Sequence, residues 1–390
     1  MQHENLINTI CSQLINVRNI HPDDLYSLFN GKVGIAITLL HAGKSLNNDA
    51  YINKAIEYIE EANANFNQLP NTSFSNGAAG LFWGNLYFQN DNVPIHGIKN
   101  LSEADEYFIQ ICNAISHYDL FYGLIGYGQY YLMRSLFSDQ SKNLQLIANK
   151  LLELSVQTHN GMGNLWLYEY PYSQEQVYNL GIAHGIPSIL LFLCKIYTLI
   201  NDTDHRIYKT IKKTVHAFSL IQNPKSNISY FPSHINLDFS SPKYINSRLA
   251  WCYGDLGIAY SILQAGLLFN EADWITYAKE LTFKSCQREM HASGVVDASF
   301  CHGIAGVVYL YLKLNSYLKE PDIELSIQYW TKILLDKSEK NGGLQSFDFF
   351  INDTYVSKSG ILEGYAGVVL PLLALFDKST NNKWDAMFLL

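Results

Sequence analysis

The chain has 390 residues, of which 48% are hydrophobic and 16% are charged, and its formal net charge is −8. This amount of apolar material is enough for a sizeable core, whereas the acidic balance argues against nucleic-acid binding as the main function. The polar opening 1–5 lacks an export-signal pattern, and the longest apolar runs, 186–194 and 366–376, are too short to span a bilayer. We therefore expect a soluble cytoplasmic protein whose six cysteines are reduced thiols or metal ligands.

A short glycine turn followed by an apolar helix recurs seven times along the chain. The turns begin at Gly31, Gly77, Gly123, Gly185, Gly254, Gly303 and Gly364, between 46 and 69 residues apart. Six of the turns read Gly-x-x-Gly, and the fourth ends in Ser188. Between them lie second helices with one apolar face, as in 52–59, 144–154 and 207–215. Helices that are apolar all round are buried, so this alternation predicts an all-α fold, an α/α toroid made of a double ring of seven helical hairpins.

Three stretches of strand-like, aromatic character interrupt the helical pattern, near 160–178, 221–246 and 342–355. We expect short hairpins or loops there, over one end of the ring. None is long enough for an independent domain, and the chain is predicted to be a single domain over 1–390.

The glycine turns have consequences for chemistry as well as for packing. Glycine allows seven helix ends to approach one axis closely. Converging helix N-termini also direct unpaired N–H groups and partial positive charge into the central cavity, where thiolates and developing oxyanions are stabilised.

Three polar residues precede glycine turns and are candidates for a catalytic role. Asp119 comes before the third turn, where a helix cap is the alternative role. His184 comes directly before the fourth turn, and an imidazole that titrates near neutrality is suited to donating or accepting a proton. Arg248 lies four residues before Cys252, which is one turn if that stretch is helical, and a surface charge is its alternative role.

Two further turns carry a set of metal-ligand residues. Cys252 stands in Trp-Cys-Tyr-Gly, and Cys301 and His302 stand in Phe-Cys-His-Gly about fifty residues later. Two thiolates and one imidazole are three of the four ligands of tetrahedral zinc, and three protein ligands with one open position are typical of catalytic zinc. A small buried core residue is the alternative role for Cys252. For the other four cysteines, Cys11, Cys112, Cys194 and Cys286, core packing is favoured because they lie in apolar or helical stretches.

These motifs together resemble those of the lanthionine synthetase C-like proteins, whose bacterial members are the cyclases of class I lanthipeptide biosynthesis. The resemblance extends through all seven glycine turns and the Ala-His-Gly, Trp-Cys-Tyr-Gly and Cys-His-Gly signatures. It implies an α/α toroid with Zn²⁺ bound by Cys252, Cys301 and His302, and catalytic roles for His184, Asp119 and Arg248. Ser188 and Leu256 depart from the family pattern of glycine and proline, which affects turn stiffness rather than chemistry.

The function implied by the resemblance is zinc-dependent Michael addition of precursor-peptide cysteine thiols to dehydroalanine or dehydrobutyrine, which forms (methyl)lanthionine rings. It implies as partners a dehydrated precursor peptide with leader and core, a lanthipeptide dehydratase and an export transporter. Such partners could bring a cytoplasmic protein to the inner face of the membrane.

Three alternatives remain open on the sequence alone. The first is addition of glutathione or another free thiol to dehydrated residues in proteins, as in eukaryotic relatives. The second is protein prenylation, which also combines an α/α toroid with a zinc-activated thiol. The third is a non-catalytic peptide-binding scaffold that keeps zinc for stability.

Overall fold

The computed structural model describes residues 2–17, 20–158, 161, 163–171, 173–202, 204–238, 246–340, 344–377 and 383–390. Parts of the three predicted insertions, at 160, 162, 172, 239–245 and 342–343, lie outside the described residues. Helices dominate the described chain, and their buried apolar side chains form one large core cluster.

The described chain contains fifteen α-helices. In chain order they are α1 (Gln2–Leu14), α2 (Lys32–Leu46), α3 (Asp49–Ala64), α4 (Ala78–Asn90), α5 (Leu101–Ala114), α6 (Leu124–Arg134), α7 (Ser141–Glu153), α8 (Ile186–Ile196), α9 (Arg206–Leu220), α10 (Asp255–Phe269), α11 (Ala272–Cys286), α12 (Met290–Ser293), α13 (Ile304–Leu318), α14 (Pro321–Lys340) and α15 (Ala366–Phe376). Short 3-10 segments cover 22–24, 66–68, 344–347 and 383–388.

Seven of these helices form a closed inner ring. Helices α2, α4, α6, α8, α10, α13 and α15 each contact the next one, and α15 contacts α2. Six of the seven begin directly after a predicted turn glycine, and α15 begins two residues after Gly364. Nearly every residue of α2, α4 and α10 is buried up to the last turn, as expected for helices that are apolar all round.

An outer ring of helices covers the inner one. Helices α3, α5, α7, α9, α11 and α14 bury one face against the inner helices and expose the other, and α1 packs on both α15 and α2. The N-terminal helix α1 therefore completes the seventh hairpin and closes the ring. This double ring is the predicted α/α toroid.

Backbone hydrogen bonds join the turns to one another around the axis. From N–H to carbonyl they run Leu28 to Ser75, Ser75 to Phe121, Ala183 to Cys252, Cys252 to Cys301, Cys301 to Leu362, and Leu362 to Phe29, at 2.8 to 3.5 Å. At the remaining junction, between the third and fourth turns, the side chains of Asp119 and His184 are hydrogen-bonded. Hydrogen bonds thus link the segments that precede the inner helices to one another, and these segments form the base of the central cavity.

The residues 383–390 pack into the centre of the ring beneath two of these turns. Phe388 is fully buried, stacks on Phe300 with ring centroids 4.1 Å apart, and accepts a hydrogen bond at its carbonyl from Nε1 of Trp251 at 3.1 Å. Trp251 and Phe300 directly precede Cys252 and Cys301. This aromatic cluster therefore fixes the positions of the turns that carry the cysteines.

The described residues form seven short strands, all of them paired antiparallel. They are β1 (Val156–Gln157), β2 (Asn164–Leu165), β3 (Leu167–Glu169), β4 (Gln176–Asn179), β5 (His234–Ile235), β6 (Phe349–Ile351) and β7 (Thr354–Val356). Strand β4 pairs with β3 through Tyr178 and Leu167, and with β5 through Tyr178 and Ile235. The first and second insertions therefore share one three-stranded sheet, a pairing that the sequence did not indicate.

Among the described residues, the helices are all too short or too polar to cross a bilayer.

Candidate metal centre and active site

The three predicted metal ligands come together at the axis of the ring. The ligand atoms of Cys252, Cys301 and His302 all lie within 4.8 Å of one another. The N–H of Cys252 donates to the carbonyl of Cys301 at 3.1 Å, so the two turns are held together by the backbone itself. Gly254 follows with a positive φ of 110°, and a Cβ there would lie 2.0 Å from the carbonyl oxygen of Arg248. Only glycine fits this tight turn.

The thiol groups of Cys252 and Cys301 are hydrogen-bonded to each other. Their mutual hydrogen bond, followed by the one with His302, lowers the pKa of the Cys252 thiol to about 5. The same contact raises the pKa of Cys301, so the pair carries one negative charge at neutral pH. Although burial opposes it, the hydrogen bonds with Asp297 and Cys252 raise the pKa of His302 to about 9, so a bound divalent cation would displace one proton from Cys301 and one from His302. Two sulfur atoms and one imidazole nitrogen are a donor set that suits zinc, with a fourth position left on the cavity side.

A buried carboxylate that the sequence analysis did not identify orients the histidine. Asp297 lies 3.1 Å from Nε2 of His302 and also accepts hydrogen bonds from the N–H groups of Ser299 and Phe350, at 2.9 and 3.1 Å. Burial alone would raise the pKa of Asp297, but the hydrogen bonds from His302 and the backbone lower it. Because Nε2 faces Asp297, Nδ1 is the ring nitrogen available to a metal.

The predicted Asp119 and His184 lie in contact although 65 positions separate them. Nδ1 of His184 is 2.5 Å from Oδ2 of Asp119, and Nε2 of His117 is 3.3 Å from Oδ1. The Asp119 side chain is fully buried. Burial would raise its pKa, yet the hydrogen bonds from His117 and His184 lower it. The carboxylate is therefore ionised, and His117 is a second imidazole partner that the sequence analysis missed.

A cavity of about 1290 Å³ brings the predicted site residues to one surface. Its lining includes His184, Arg248, Cys252, Cys301 and His302, while Asp119 lies behind His184. Five of the six predicted residues thus face one space. Because Nδ1 of His184 is turned toward Asp119, Nε2 is the nitrogen that can meet a ligand.

Arg248 would lie one helical turn before Cys252 if that stretch were helical, but residues 246–254 contain no helix, so this placement is wrong. The irregular segment is held by buried Arg288, which donates from Nη2 to the carbonyls of Ser247 at 2.6 Å and Ser293 at 3.3 Å. The N–H of Leu249 also donates to Ser293, at 2.8 Å. These bonds on both sides of Arg248 hold its backbone at the edge of the cavity.

The sheet β3–β4–β5 supplies an aromatic wall to the cavity. The ring of Tyr168, in β3, has its centroid 5.6 Å from that of His184, and Phe121 approaches the same imidazole edge-on at 4.8 Å. Tyr170 and Tyr122 line the cavity nearby. The aromatic composition of the first insertion was the sequence signal for this wall.

These features define a class of protein. It is an α/α toroid whose central cavity holds a candidate metal site of two cysteines and one histidine, beside a second histidine that is hydrogen-bonded to a carboxylate. The chain belongs to the family described as lanthionine synthetase C-like protein, whose model matches residues 22–389.

Individual relatives agree with this assignment. The nisin biosynthesis protein NisC of Lactococcus lactis subsp. lactis is 23% identical over 400 residues, covering 93% of this chain and 88% of that protein. The glutathione S-transferase LANCL1 of Danio rerio is 23% identical over 329 residues, covering 78% and 73%. The solved structure of a nisin cyclase matches with a TM-score of 0.74 at 21% identity, over 99% of this chain and 96% of that one. That structure shows that the fold is shared.

Proposed function

We propose that the protein is a zinc-dependent lanthipeptide cyclase. Its substrate is a dehydrated precursor peptide, in which it joins cysteine thiols to dehydroalanine or dehydrobutyrine. The observation that carries the proposal is the placement of Cys252, Cys301 and His302 on the same cavity as His184. Membership of the family and the likeness to NisC support the same reaction.

The metal would be held by Cys252, Cys301 and His302, with Asp297 fixing the histidine ring. Zinc, when bound, supplies a Lewis acid that favours the ionised form of an incoming thiol, whose free pKa of about 8.5 leaves it mostly protonated at neutral pH. The two cysteines and the histidine would hold the ion on the cavity that His184 and Arg248 also line.

The protein's own residues account for the proton and the charge. When the sulfur forms its bond to the β-carbon, the double-bond electrons move to the adjacent carbonyl as an enolate. His184 donates a proton from Nε2 to the α-carbon, while Asp119 holds the ring by Nδ1. Arg248 stabilises the enolate oxygen. The thiol releases its proton to solvent and His184 regains one from solvent, so the net change is the move of one proton from the thiol to the α-carbon.

The reaction implies its partners. A dehydratase must supply the dehydrated residues, and an export transporter would remove the product, which places the reaction in the cytoplasm. The aromatic wall of Tyr168 and Tyr170 is the surface on which the peptide would lie.

Cyclisation leaves the mass of the peptide unchanged, so the assay must count free thiols. A synthetic peptide with one dehydroalanine and one cysteine is incubated with the zinc-loaded protein and then treated with a thiol alkylating agent. Loss of the alkylated species, faster than without protein, is the expected result. A peptide that stays fully alkylatable would overturn the proposal.

Addition of a free thiol is the second candidate, because the relative LANCL1 is named a glutathione S-transferase. A dehydroalanine peptide without cysteine, incubated with glutathione, separates the two. A gain of one glutathione in mass with this peptide, without ring formation in the first, would favour the transferase.

A further inference from the structure

The carboxylate of Asp119 binds two imidazoles, and only one of them has a role in the proposed reaction. Oδ2 contacts Nδ1 of His184 at 2.5 Å, whereas Oδ1 contacts Nε2 of His117 at 3.3 Å and accepts the N–H of Tyr122 at 2.8 Å. The single negative charge is therefore shared between two rings. The contacts do not by themselves assign a purpose to His117.

His117 is placed where its protonation can change with the solution. Its side chain is 36% exposed and lines the cavity, whereas Asp119 is fully buried. Although burial opposes it, the hydrogen bond with Asp119 raises the pKa of His117. His117 therefore carries a proton to higher pH than a free histidine does.

In the part of the chain that the structure describes, few other titratable groups face the His117 ring. Tyr118 stacks on it from its own segment, and Tyr168 approaches it from β3 with centroids 5.6 Å apart. Burial raises the pKa of both tyrosines, so they remain neutral. Asp119 and the imidazole of His184 behind it are then the ionisable groups whose charge His117 senses.

We propose that His117 is a positioning residue whose charge state sets how firmly Asp119 holds the proton on His184. With His117 protonated, the carboxylate is shared between two cations, and the proton on His184 is released more easily. With His117 neutral, the whole charge of Asp119 acts on His184 and retains its proton. The catalytic consequence rests on the proposed cyclase function, but the coupling between the two rings does not.

Two substitutions change the charge in opposite senses. His117→Gln keeps an amide donor for Asp119 but cannot become charged, and His117→Lys keeps a positive charge at every pH below its own ionisation. The exposed His216, on the outer face of α9, gives the matched control His216→Gln. The ring resonances are followed by ¹H–¹³C NMR against pH, and the signal of His184 is assigned by its loss in His184→Gln.

We expect the pH midpoint of the His184 resonance to rise by about 0.5 to 1 unit in His117→Gln, to fall in His117→Lys, and to stay constant in His216→Gln. In the unmodified protein, the His184 resonance should also show a second inflection at the midpoint of His117. The alkaline limb of kcat against pH should move in the same direction as the midpoint, with KM changed less than about twofold.

A His184 midpoint that is equal in the unmodified protein and both His117 variants would overturn the proposal, as would a pH-independent loss of activity in both. Should either variant fail to fold, the second inflection in the unmodified protein still decides the matter. If the midpoint shifts but no cyclisation occurs in any form, the coupling stands and the proposed function is wrong.

Discussion

Nε2 of His302 lies 3.1 Å from a carboxylate oxygen of Asp297, a residue whose side chain is fully buried. The carboxylate accepts, so in the neutral imidazole that a metal would bind, the proton resides on Nε2 and the lone pair on Nδ1. A metal-binding histidine commonly depends on such a partner to fix its tautomer and its orientation. Asp297 is therefore as much a part of the proposed metal centre as the residues that would touch the ion.

Asp297→Asn should weaken zinc binding about 10- to 100-fold, because the amide does not fix the ring or raise its basicity as the carboxylate does. Competition with a chromophoric chelator measures the affinity. Asp385→Asn is the control, since Asp385 is also buried and bonded, to Tyr309 and Lys313, but lies in the C-terminal segment. Equal zinc affinity in the two variants would remove Asp297 from the centre.

Replacement of a proposed ligand should reduce the bound metal itself. Cys301→Ala leaves one sulfur and one imidazole, and two protein ligands hold zinc far more weakly than three. Metal analysis of the purified protein should show about one ion per chain in the unmodified form and a small fraction of that in the variant. Cys286→Ala, which removes a thiol on α11 away from the cavity, should retain the full content. Full metal content in Cys301→Ala would contradict the assigned ligand set.

The sequence identified the parts of the fold that repeat. Turn glycines mark the start of six inner helices, because an inner helix must enter a crowded axis through a residue without a Cβ. The cysteines and the histidine that are the candidate metal ligands stand beside those glycines, so the repeat placed them at one end of the ring. Their convergence follows from the ring closure and needed no further information.

The residues that support the site, by contrast, could not be predicted from the glycine repeat. Asp297 precedes His302 by five positions and reaches its ring only because the chain folds back before α13, and Arg288 acts on Ser247 across 41 positions. No periodicity encodes such contacts, since they depend on how irregular segments pack. The pairing of β4 with β5 likewise joins two insertions that have no common pattern.

Removal of the metal should abolish activity while the ring stays folded. The turns of the two cysteines are joined by the bond from the N–H of Cys252 to Cys301 and by that from Cys301 to Leu362, neither of which needs an ion. Chelation should therefore lower the melting temperature by only a few degrees, about what a loss of 1 kcal/mol produces. Circular dichroism and the thiol assay on the same sample test this. Unfolding on chelation would instead favour a structural zinc and the scaffold alternative.

Loss of the Asp119 charge should destabilise the protein in a pH-dependent way. The pKa of Asp119 is lowered in the folded state. Its contribution to the free energy of unfolding is therefore present above the usual carboxyl pKa and is lost as the pH falls toward the lowered value. The pKa of His117 is raised, so the contribution of that pair is complete below about 6.5 and is lost as the pH rises through the raised value. The penalty of Asp119→Asn should thus be largest near pH 5 to 6.

Breaking a buried pair costs about 3 to 5 kcal/mol, which sets the scale for Asp119→Asn at its maximum. Denaturant unfolding at pH 5.5 and pH 8.5 gives the difference from the unmodified protein at each pH. A penalty that is the same at both would show that the histidines do not contribute through their charge.

Arg288→Met, which removes a buried positive charge near the site, should lower the stability of the protein in a pH-dependent way. Burial raises the pKa of Asp255 to about 6, although the charge of Arg288, 3.9 Å away, and the N–H groups of Tyr230 and Phe231 oppose the rise. Without Arg288 that pKa should increase further. A carboxyl group with a raised pKa binds its proton more tightly in the folded state than in the unfolded one, so stability falls as the pH rises between the two values.

The variant should therefore lose about 3 to 5 kcal/mol at neutral pH. It should recover part of this as the pH falls through the raised folded-state pKa of Asp255, and the recovery is complete below about 3.9, where Asp255 is neutral in both states. The carbonyl of Ser247 would also lose the hydrogen bond from Arg288, and that of Ser293 would keep only the N–H of Leu249, so the segment that carries Arg248 would be less well held. Arg288→Lys keeps the charge but not the forked geometry, so it should restore more of the stability than of the activity. Unfolding curves measure the stability of both variants, and the thiol assay measures their activity. Equal losses of stability in Arg288→Lys and Arg288→Met at every pH would show that Arg288 contributes through its shape rather than its charge.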